Sequence, residues 1–317
     1  MRKSWLSSLF RKEQYIRAVD TISFDVQKGE ILGLAGESGC GKTTTGKLIV
    51  GLIKPTEGHV YYEGEDISLI KGRAQLLKLR SKVQMIYQDP YRSLSPRLSV
   101  YDLICEPLRF HKIVNTKAEM NKKVLEVLDL TGLPADKEFL SKRPPHLSGG
   151  QRQRVEIARR LVLNPNLLVA DEPVSMLDAS VKGSLINLLL DLKEKLDLTL
   201  VLITHDISVA WHLCNRVAVM YLGKIMEIGD VETVIKTPDH PYTRALISAV
   251  PTLDPEKKSY LEVDKRISGI LSTSFVEIPS GCRFHPRCTF RMEKCMKVEP
   301  ELLDLAKDHK VACHLYS

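Results

Sequence analysis

The chain has 317 residues, 44% of them hydrophobic and 27% charged, a balance that excludes disorder, collagen and coiled coil and leaves room for one large domain plus a smaller one. Its apolar runs, such as Leu198 to Ile203 with Thr199 inside, fall well short of the roughly 18 residues of a membrane helix. The interrupted start Met1 to Lys12 lacks a secretory apolar region, so a cytosolic location is expected. The net charge of +7 is concentrated at the start, where Arg2, Lys3, Arg11 and Lys12 supply +4 with no acid before residue 13. That pattern suits a membrane-surface or partner contact, or a solvated tail, better than a nucleic-acid groove.

In chain order, Ile22, Phe24 and Val26 alternate as in a strand, and Gly29 turns the chain into the apolar run Ile31 to Ala35. Strands are also predicted at Val83 to Tyr87, Leu167 to Ala170, Thr199 to Thr204 and Val217 to Tyr221, short and apolar as buried parallel strands are. From Pro96 to Pro145 helices replace strands. Thr116 and Glu119 make a capping box, Met120, Val124 and Leu128 follow at helical spacing, and Gly132 stops the helix. The stripe Leu185, Leu188, Leu189, Leu192 and Leu196 predicts another helix. The expected fold class is therefore α/β, a mainly parallel sheet covered by helices, with a helical insertion at about residues 96–150. After Pro238 the prolines at 241, 251, 255, 279, 286 and 300 punctuate a segment with little periodicity and few apolar residues to bury. Four clustered cysteines, Cys282, Cys288, Cys295 and Cys313, are its candidate source of order, whereas Cys40, Cys105 and Cys214 are scattered.

Gly36, Glu37, Ser38, Gly39, Cys40, Gly41, Lys42 and Thr43 match G-x-x-x-x-G-K-[ST] in full, after a predicted strand and before the helical stretch Thr44 to Val50. Glycines let successive N–H groups curl around a phosphate, the helix N-terminus adds a favourable dipole, Lys42 reaches the outer phosphates, and the Thr43 hydroxyl can ligate Mg²⁺. The strand Leu167 to Ala170 delivers Asp171 and Glu172 to its C-terminal end, where open α/β sheets bind ligands. Asp171 would hold Mg²⁺ and Glu172 would orient and deprotonate an attacking water.

The pentapeptide Leu147-Ser148-Gly149-Gly150-Gln151 discriminates among phosphate-loop enzymes. With it the chain resembles the ATP-binding subunits of ABC transporters. Ser148 can cap the helix starting near Gln151, and the glycines let N–H groups approach a γ-phosphate. The family's other motifs follow in order: Gln88 after the strand Val83 to Tyr87, the D-loop Ser175-Met176-Leu177-Asp178, and His205 in Thr204-His205-Asp206. Met176 departs from the family's usual small residue. The resemblance implies an ABC cassette with a RecA-like core sheet, an antiparallel β part, a helical subdomain and a small cysteine-rich extension. It further implies that Tyr15 stacks on adenine, that Gln88 is a catalytic residue that also contacts Mg²⁺, that His205 contacts the γ-phosphate, and that Ser148, Gly150, Gln151 and Asp178 act across a head-to-tail pair of cassettes.

Gln88 to Arg97, the segment His240-Pro241-Tyr242-Thr243-Arg244-Ala245-Leu246 and the ending from Gly281 to Leu315 are similar to the dipeptide/oligopeptide importer subfamily. Such importers hydrolyse ATP at the cytoplasmic face of the membrane, pair two ATP-binding subunits as a heterodimer on two transmembrane permeases, and receive peptides from an extracellular binding protein; no nucleic acid is involved. Val174-Ser175, Tyr91 and Arg97 look more like the second, F-type subunit than the first, D-type. The alternatives are the D-type subunit or, from another class, a soluble non-transport ABC ATPase. A cassette at 1–245 and an importer extension at 246–317 are expected. The cysteine spacings x5, x6 and x17 in a cytosolic chain favour metal over disulfide, leaving zinc, an iron–sulfur cluster or unliganded thiols. The resemblance implies a [4Fe–4S] cluster, with zinc the alternative.

Overall fold

The apolar runs become strands because each has an apolar layer on both sides. The computed structural model describes residues 17–249 and 278–317. Strand β1 (Ile31–Ala35) is buried throughout and leads into α1 (Lys42–Ile49); the hairpin β2 (Tyr61–Tyr62) and β3 (Glu65–Asp66), helix α2 (Arg73–Lys82) and strand β4 (Val83–Ile86) follow. The helical insertion consists of α3 (Pro90–Ser93), α4 (Val100–Phe110), α5 (Lys117–Leu130) and α6 (Lys137–Ser141), and α7 (Gly149–Leu161) returns the chain to β5 (Leu167–Asp171). Next come α8 (Ala179–Leu196), β6 (Thr199–Thr204), α9 (Ile207–Leu213), β7 (Arg216–Tyr221), β8 (Lys224–Asp230), α10 (Val231–Lys236) and α11 (Pro241–Ser248). From residue 278 on, the chain adds α12 (Glu293–Lys297), β9 (Leu303–Ala306) and β10 (His309–Val311).

The main sheet runs β4-β5-β6-β1-β7-β8-β10-β9, parallel from β4 to β7 and antiparallel beyond. Ala35 pairs with Thr204 and Asp171 with Ile203, so the C-terminal ends of β1, β5 and β6 finish side by side. Leu185, Leu189 and Leu192 of α8 are at most 2% exposed, each worth about 1.5–3 kcal/mol of burial, and this docks the helix on the sheet. The capping box of α5 is present, with Thr116 Oγ1 accepting the Glu119 N–H at 3.2 Å and Glu119 accepting the Thr116 N–H at 3.3 Å.

Three expectations need correction. Ile22, Phe24 and Val26 are half-buried against the core, but this stretch has no ladder partner among the described residues and is extended chain, not strand. The C-terminal segment does contribute strands: β10 pairs with β8 and extends the cassette's own sheet. Nor does it lack apolar packing. Phe284 is fully buried and meets Tyr221 edge-on at 5.5 Å, Tyr242 at 5.3 Å and His240 at 5.9 Å. Helix α11 runs across the boundary between 245 and 246.

His240 caps α11 by accepting the Tyr242 N–H at Nδ1, 2.9 Å away, and burial depresses its pKa to about 3. Unfolded, the ring takes up a proton near pH 6.5; folded, it stays neutral far below that. The unfolded state then binds more protons, so stability is expected to fall by roughly 1.4 kcal/mol for each pH unit below about 6. Denaturant titrations should show a shallower acid loss for His240→Asn, which keeps a capping side chain.

Candidate active site

After β1 the chain turns through Gly36, Glu37, Ser38, Gly39, Cys40 and Gly41 into α1, with Ser38 and Gly39 on the exposed outer turn. A Cβ on Gly36 would lie 2.2 Å from the Met220 carbonyl oxygen, so only glycine lets the loop pass β7 so closely. Lys42 is buried, and its Nζ donates to the Gly36 and Glu37 carbonyls at 2.7 and 2.9 Å. The ammonium thus lies across the loop. Cys40 is buried behind it, its Sγ 3.8 Å from Nζ, and burial raises its thiol pKa. Thr44 sits half-buried in the first turn of α1.

Thr43 Oγ1 donates to Asp171 Oδ1 at 3.1 Å, joining loop and β5. Burial raises the Asp171 carboxyl, and the Thr43 hydrogen bond only partly offsets this. A hydroxyl beside a buried carboxylate is a hard oxygen donor set that suits Mg²⁺. Glu172 follows with φ 47°, a left-handed conformation that costs of order 1 kcal/mol for a residue other than glycine. Its N–H is fixed by the Ile203 carbonyl at 2.9 Å. Two more loops converge on its carboxylate, with Gln88 Nε2 donating to Oε2 at 2.8 Å and His205 Nδ1 2.9 Å from Oε1. An ionised carboxylate only accepts, so Nδ1 carries the hydrogen, and Nε2 is left for another partner. The structure therefore brings together Lys42, Thr43, Gln88, Asp171, Glu172 and His205. Tyr15 lies outside the described residues.

The pentapeptide opens α7 at Gly149, two residues earlier than read from the sequence. Ser148 Oγ accepts the Gln151 N–H at 3.2 Å and Gln151 Oε1 accepts the Ser148 N–H at 3.1 Å, a reciprocal box. A Cβ on Gly150 would lie 2.7 Å from Val181 of α8, so this glycine also permits close helix packing. Ser148 is exposed, and Asp178 stands exposed at the start of α8 with its side chain not used as a cap. Among the described residues, neither side chain bonds to the chain's own phosphate loop. One link escaped the sequence reading: Arg152 stacks 3.8 Å over the Tyr91 ring and donates to the Pro144 and Leu147 carbonyls, tying α3 to the base of the pentapeptide.

Cys282, Cys288, Cys295 and Cys313 are free thiols. The Cys282 N–H donates to the Cys295 carbonyl at 2.8 Å, and Gly281, at φ 66°, permits this approach because a Cβ would lie 2.3 Å from that carbonyl. Burial first, then the charge of the neighbouring thiols, raises Cys282 to about 11 and pushes Cys288 and Cys313 up as well. Of the nearby histidines, His314 uses both ring nitrogens on Ser317 and Val298, while His285 bonds the Cys282 carbonyl. Among the described residues, the trio of metal-ligating types with atoms within 4.8 Å of one another is Glu227, Asp239 and His309; no three of these cysteines are so close. A tetrahedral zinc at about 2.3 Å from each sulfur holds them roughly 3.8 Å apart, whereas the thiolates of a [4Fe–4S] cluster sit on four separate irons and stand farther apart. Thiols close enough to feel one another's charge are a soft donor set that suits either group.

Sheet, phosphate loop and carboxylate centre define an ATP-binding cassette. The chain matches the ABC transporter family over residues 19–175 and the oligopeptide/dipeptide transporter C-terminal region over residues 226–295. It is 44% identical over 312 residues to the oligopeptide transport ATP-binding protein AppF of Bacillus subtilis, spanning 98% of this chain and 93% of that protein. It is 42% identical over 308 residues to the dipeptide transport ATP-binding protein DppF of Haemophilus influenzae, spanning 96% and 91%. Among solved structures it is similar to the dimeric ATP-binding cassette MJ0796 in a post-hydrolysis state with ADP and Pi, at TM-score 0.61 and 32% identity over 68% of this chain and 90% of that one. It is also similar to cbiO1 from Clostridium perfringens, part of the ABC transporter complex cbiONQ, at TM-score 0.62 and 28% identity over 69% and 84%. The chain belongs to the ABC transporter family, in its oligopeptide/dipeptide transport branch. Among the described residues no helix is long and apolar enough to cross a membrane.

Proposed function

We propose that the chain is the ATP-hydrolysing subunit that powers import of dipeptides or oligopeptides through a membrane ABC transporter. The observation that carries this reading is the convergence of Gln88 and His205 on Glu172 beside the Thr43–Asp171 pair. Loop N–H groups and the start of α1 bind the phosphates, and Lys42 transfers from the Gly36 and Glu37 carbonyls to phosphate oxygens. Mg²⁺, when bound at Thr43 and Asp171, neutralises phosphate charge. Glu172, held by Gln88 and His205, accepts a proton from the water that attacks the γ-phosphorus as the bond to the ADP oxygen breaks, giving ADP and phosphate.

The exposed Ser148 and Asp178, with the half-buried Gly150 and Gln151, complete the nucleotide site of a second ATP-binding subunit, and the dimeric state of the MJ0796 cassette supports this arrangement. The partner is a different subunit, with this chain the F-type member; the F-type names of its relatives support that assignment. The pair sits peripherally on the cytoplasmic face, on two permeases fed by an extracellular binding protein. A cavity of about 280 Å³ lined by Leu52, Tyr87, Glu106, Phe110 and Arg160, with the exposed Tyr91 nearby in the chain, is the surface for the permeases. Deleting the chain should abolish uptake of labelled peptides; wild-type chain should restore it and Lys42→Ala should not. Uptake unchanged by deletion would contradict the reading.

Residues 246–317 form the importer-specific extension on the 1–245 cassette, and Cys282, Cys288, Cys295 and Cys313 hold a [4Fe–4S] cluster in a structural role. Cys282 and Cys288 of the loop after Gly281, Cys295 of helix α12 and Cys313 near the chain end would hold it, and the cluster would supply a cross-link among these three segments. Anaerobic preparations should contain iron and sulfide and absorb at roughly 400 nm; a colourless, zinc-loaded preparation would contradict the assignment.

A further inference from the structure

Every polar group of Glu37 is engaged. Its carbonyl accepts from Lys42 Nζ at 2.9 Å. Its N–H donates to the Tyr242 hydroxyl at 3.0 Å, and its carboxylate meets Arg287 Nη1 at 3.0 Å. Tyr242 lies in α11 and Arg287 lies beside Cys288, so these two partners come from the C-terminal region, 205 and 250 residues away in sequence. Both are built into the fold. Tyr242 is 1% exposed, and the Arg287 guanidinium lies 5.7 Å from the Tyr221 ring centroid and 5.6 Å from that of Phe284. The same cysteine loop grips the other flank of the phosphate loop, because Arg283 donates to the Leu222 carbonyl and to Asp20, next to Gly223, whose N–H bonds the Cys40 carbonyl at 2.8 Å.

We infer that Arg287 and Tyr242 are positioning residues for ATP binding: together they fix the Glu37 peptide, and with it the carbonyls on which Lys42 rests. This rests on the ATP-site reading above. Glu37 is the second residue of the loop; its carboxylate is turned to Arg287, and its peptide sets the direction of the N–H groups that follow. A loop released from Arg287 must be ordered by the nucleotide itself, and that ordering weakens binding rather than chemistry.

The test is a double-variant cycle with the full-length chain: MgATP binding measured by equilibrium titration, and kcat and KM in the assembled transporter. Arg287→Ala and Glu37→Ala are each expected to raise the MgATP dissociation constant roughly three- to tenfold with kcat changed less than about twofold, and the double variant should be no weaker than either single. Arg287→Lys should recover part of the loss. Iron content should be unchanged in Glu37→Ala, which approaches the contact from the loop side. Wild-type affinity in Glu37→Ala, or additive losses in the double variant, would overturn the inference. A wild-type chain that fails to bind MgATP would instead overturn the ATP-site reading.

Discussion

Glu172→Gln is expected to bind MgATP like the wild type while its hydrolysis falls by a factor of roughly 10²–10⁴. The amide is isosteric, so it can keep one contact with Gln88 or His205, and the left-handed backbone at residue 172, anchored on Ile203, is untouched. What is lost is the acceptor for the water's proton. On the proposed pairing, in which ATP binding closes two cassettes and hydrolysis reopens them, the variant should accumulate as an ATP-bound closed dimer, visible as an ATP-dependent shift to the larger species on gel filtration. Turnover at the wild-type rate would remove Glu172 from the role of base.

Lys42→Ala is expected to remove nucleotide binding almost entirely. In the structure Lys42 is the one cation within hydrogen-bond reach of the loop carbonyls among the described contacts of Gly36 and Glu37. Its charge-assisted bonds to phosphate oxygens are each worth about 1.5–3 kcal/mol. Losing two of them weakens binding by a factor of roughly 10²–10⁴. The substitution also takes the Lys42 donor away from the buried Gly36 carbonyl, while the Glu37 carbonyl keeps the Cys40 N–H at 3.3 Å. Equilibrium titration with MgATP should register the loss, and affinity within about threefold of wild type would contradict the geometry.

The core of the fold was legible because its strands are continuous apolar runs and its chemistry sits in contiguous motifs. Ile31–Ala35, Leu167–Asp171 and Thr199–Thr204 appear where their composition places them, and Gly36 to Thr43, Asp171, Glu172 and His205 are fixed by short-range spacing. The C-terminal strands were not legible. β10 holds three residues, His309, Lys310 and Val311, and its buried histidine meets Glu227 of the neighbouring strand at 2.9 Å, a long-range hydrogen bond that no local pattern announces. The hairpin from β7 to β8 turns on Leu222 and Gly223 with φ 44° and 83°, where a leucine hides the usual turn signal. The contacts of Tyr242 and Arg287 with Glu37 were equally hidden: the motif around Tyr242 and the cysteine loop are conspicuous in sequence, but their common target depends on how β7 and β8 fold the chain back on the phosphate loop.

On the proposed function, ATP hydrolysis at this centre is coupled to peptide import. The most direct measurement is phosphate release by the transporter reconstituted in lipid vesicles with both ATP-binding subunits, the permeases and the binding protein. Release should rise several-fold on adding peptide-loaded binding protein, and should vanish with Glu172→Gln in this chain. Phosphate release that ignores the peptide, or that persists unchanged with Glu172→Gln, would contradict the account.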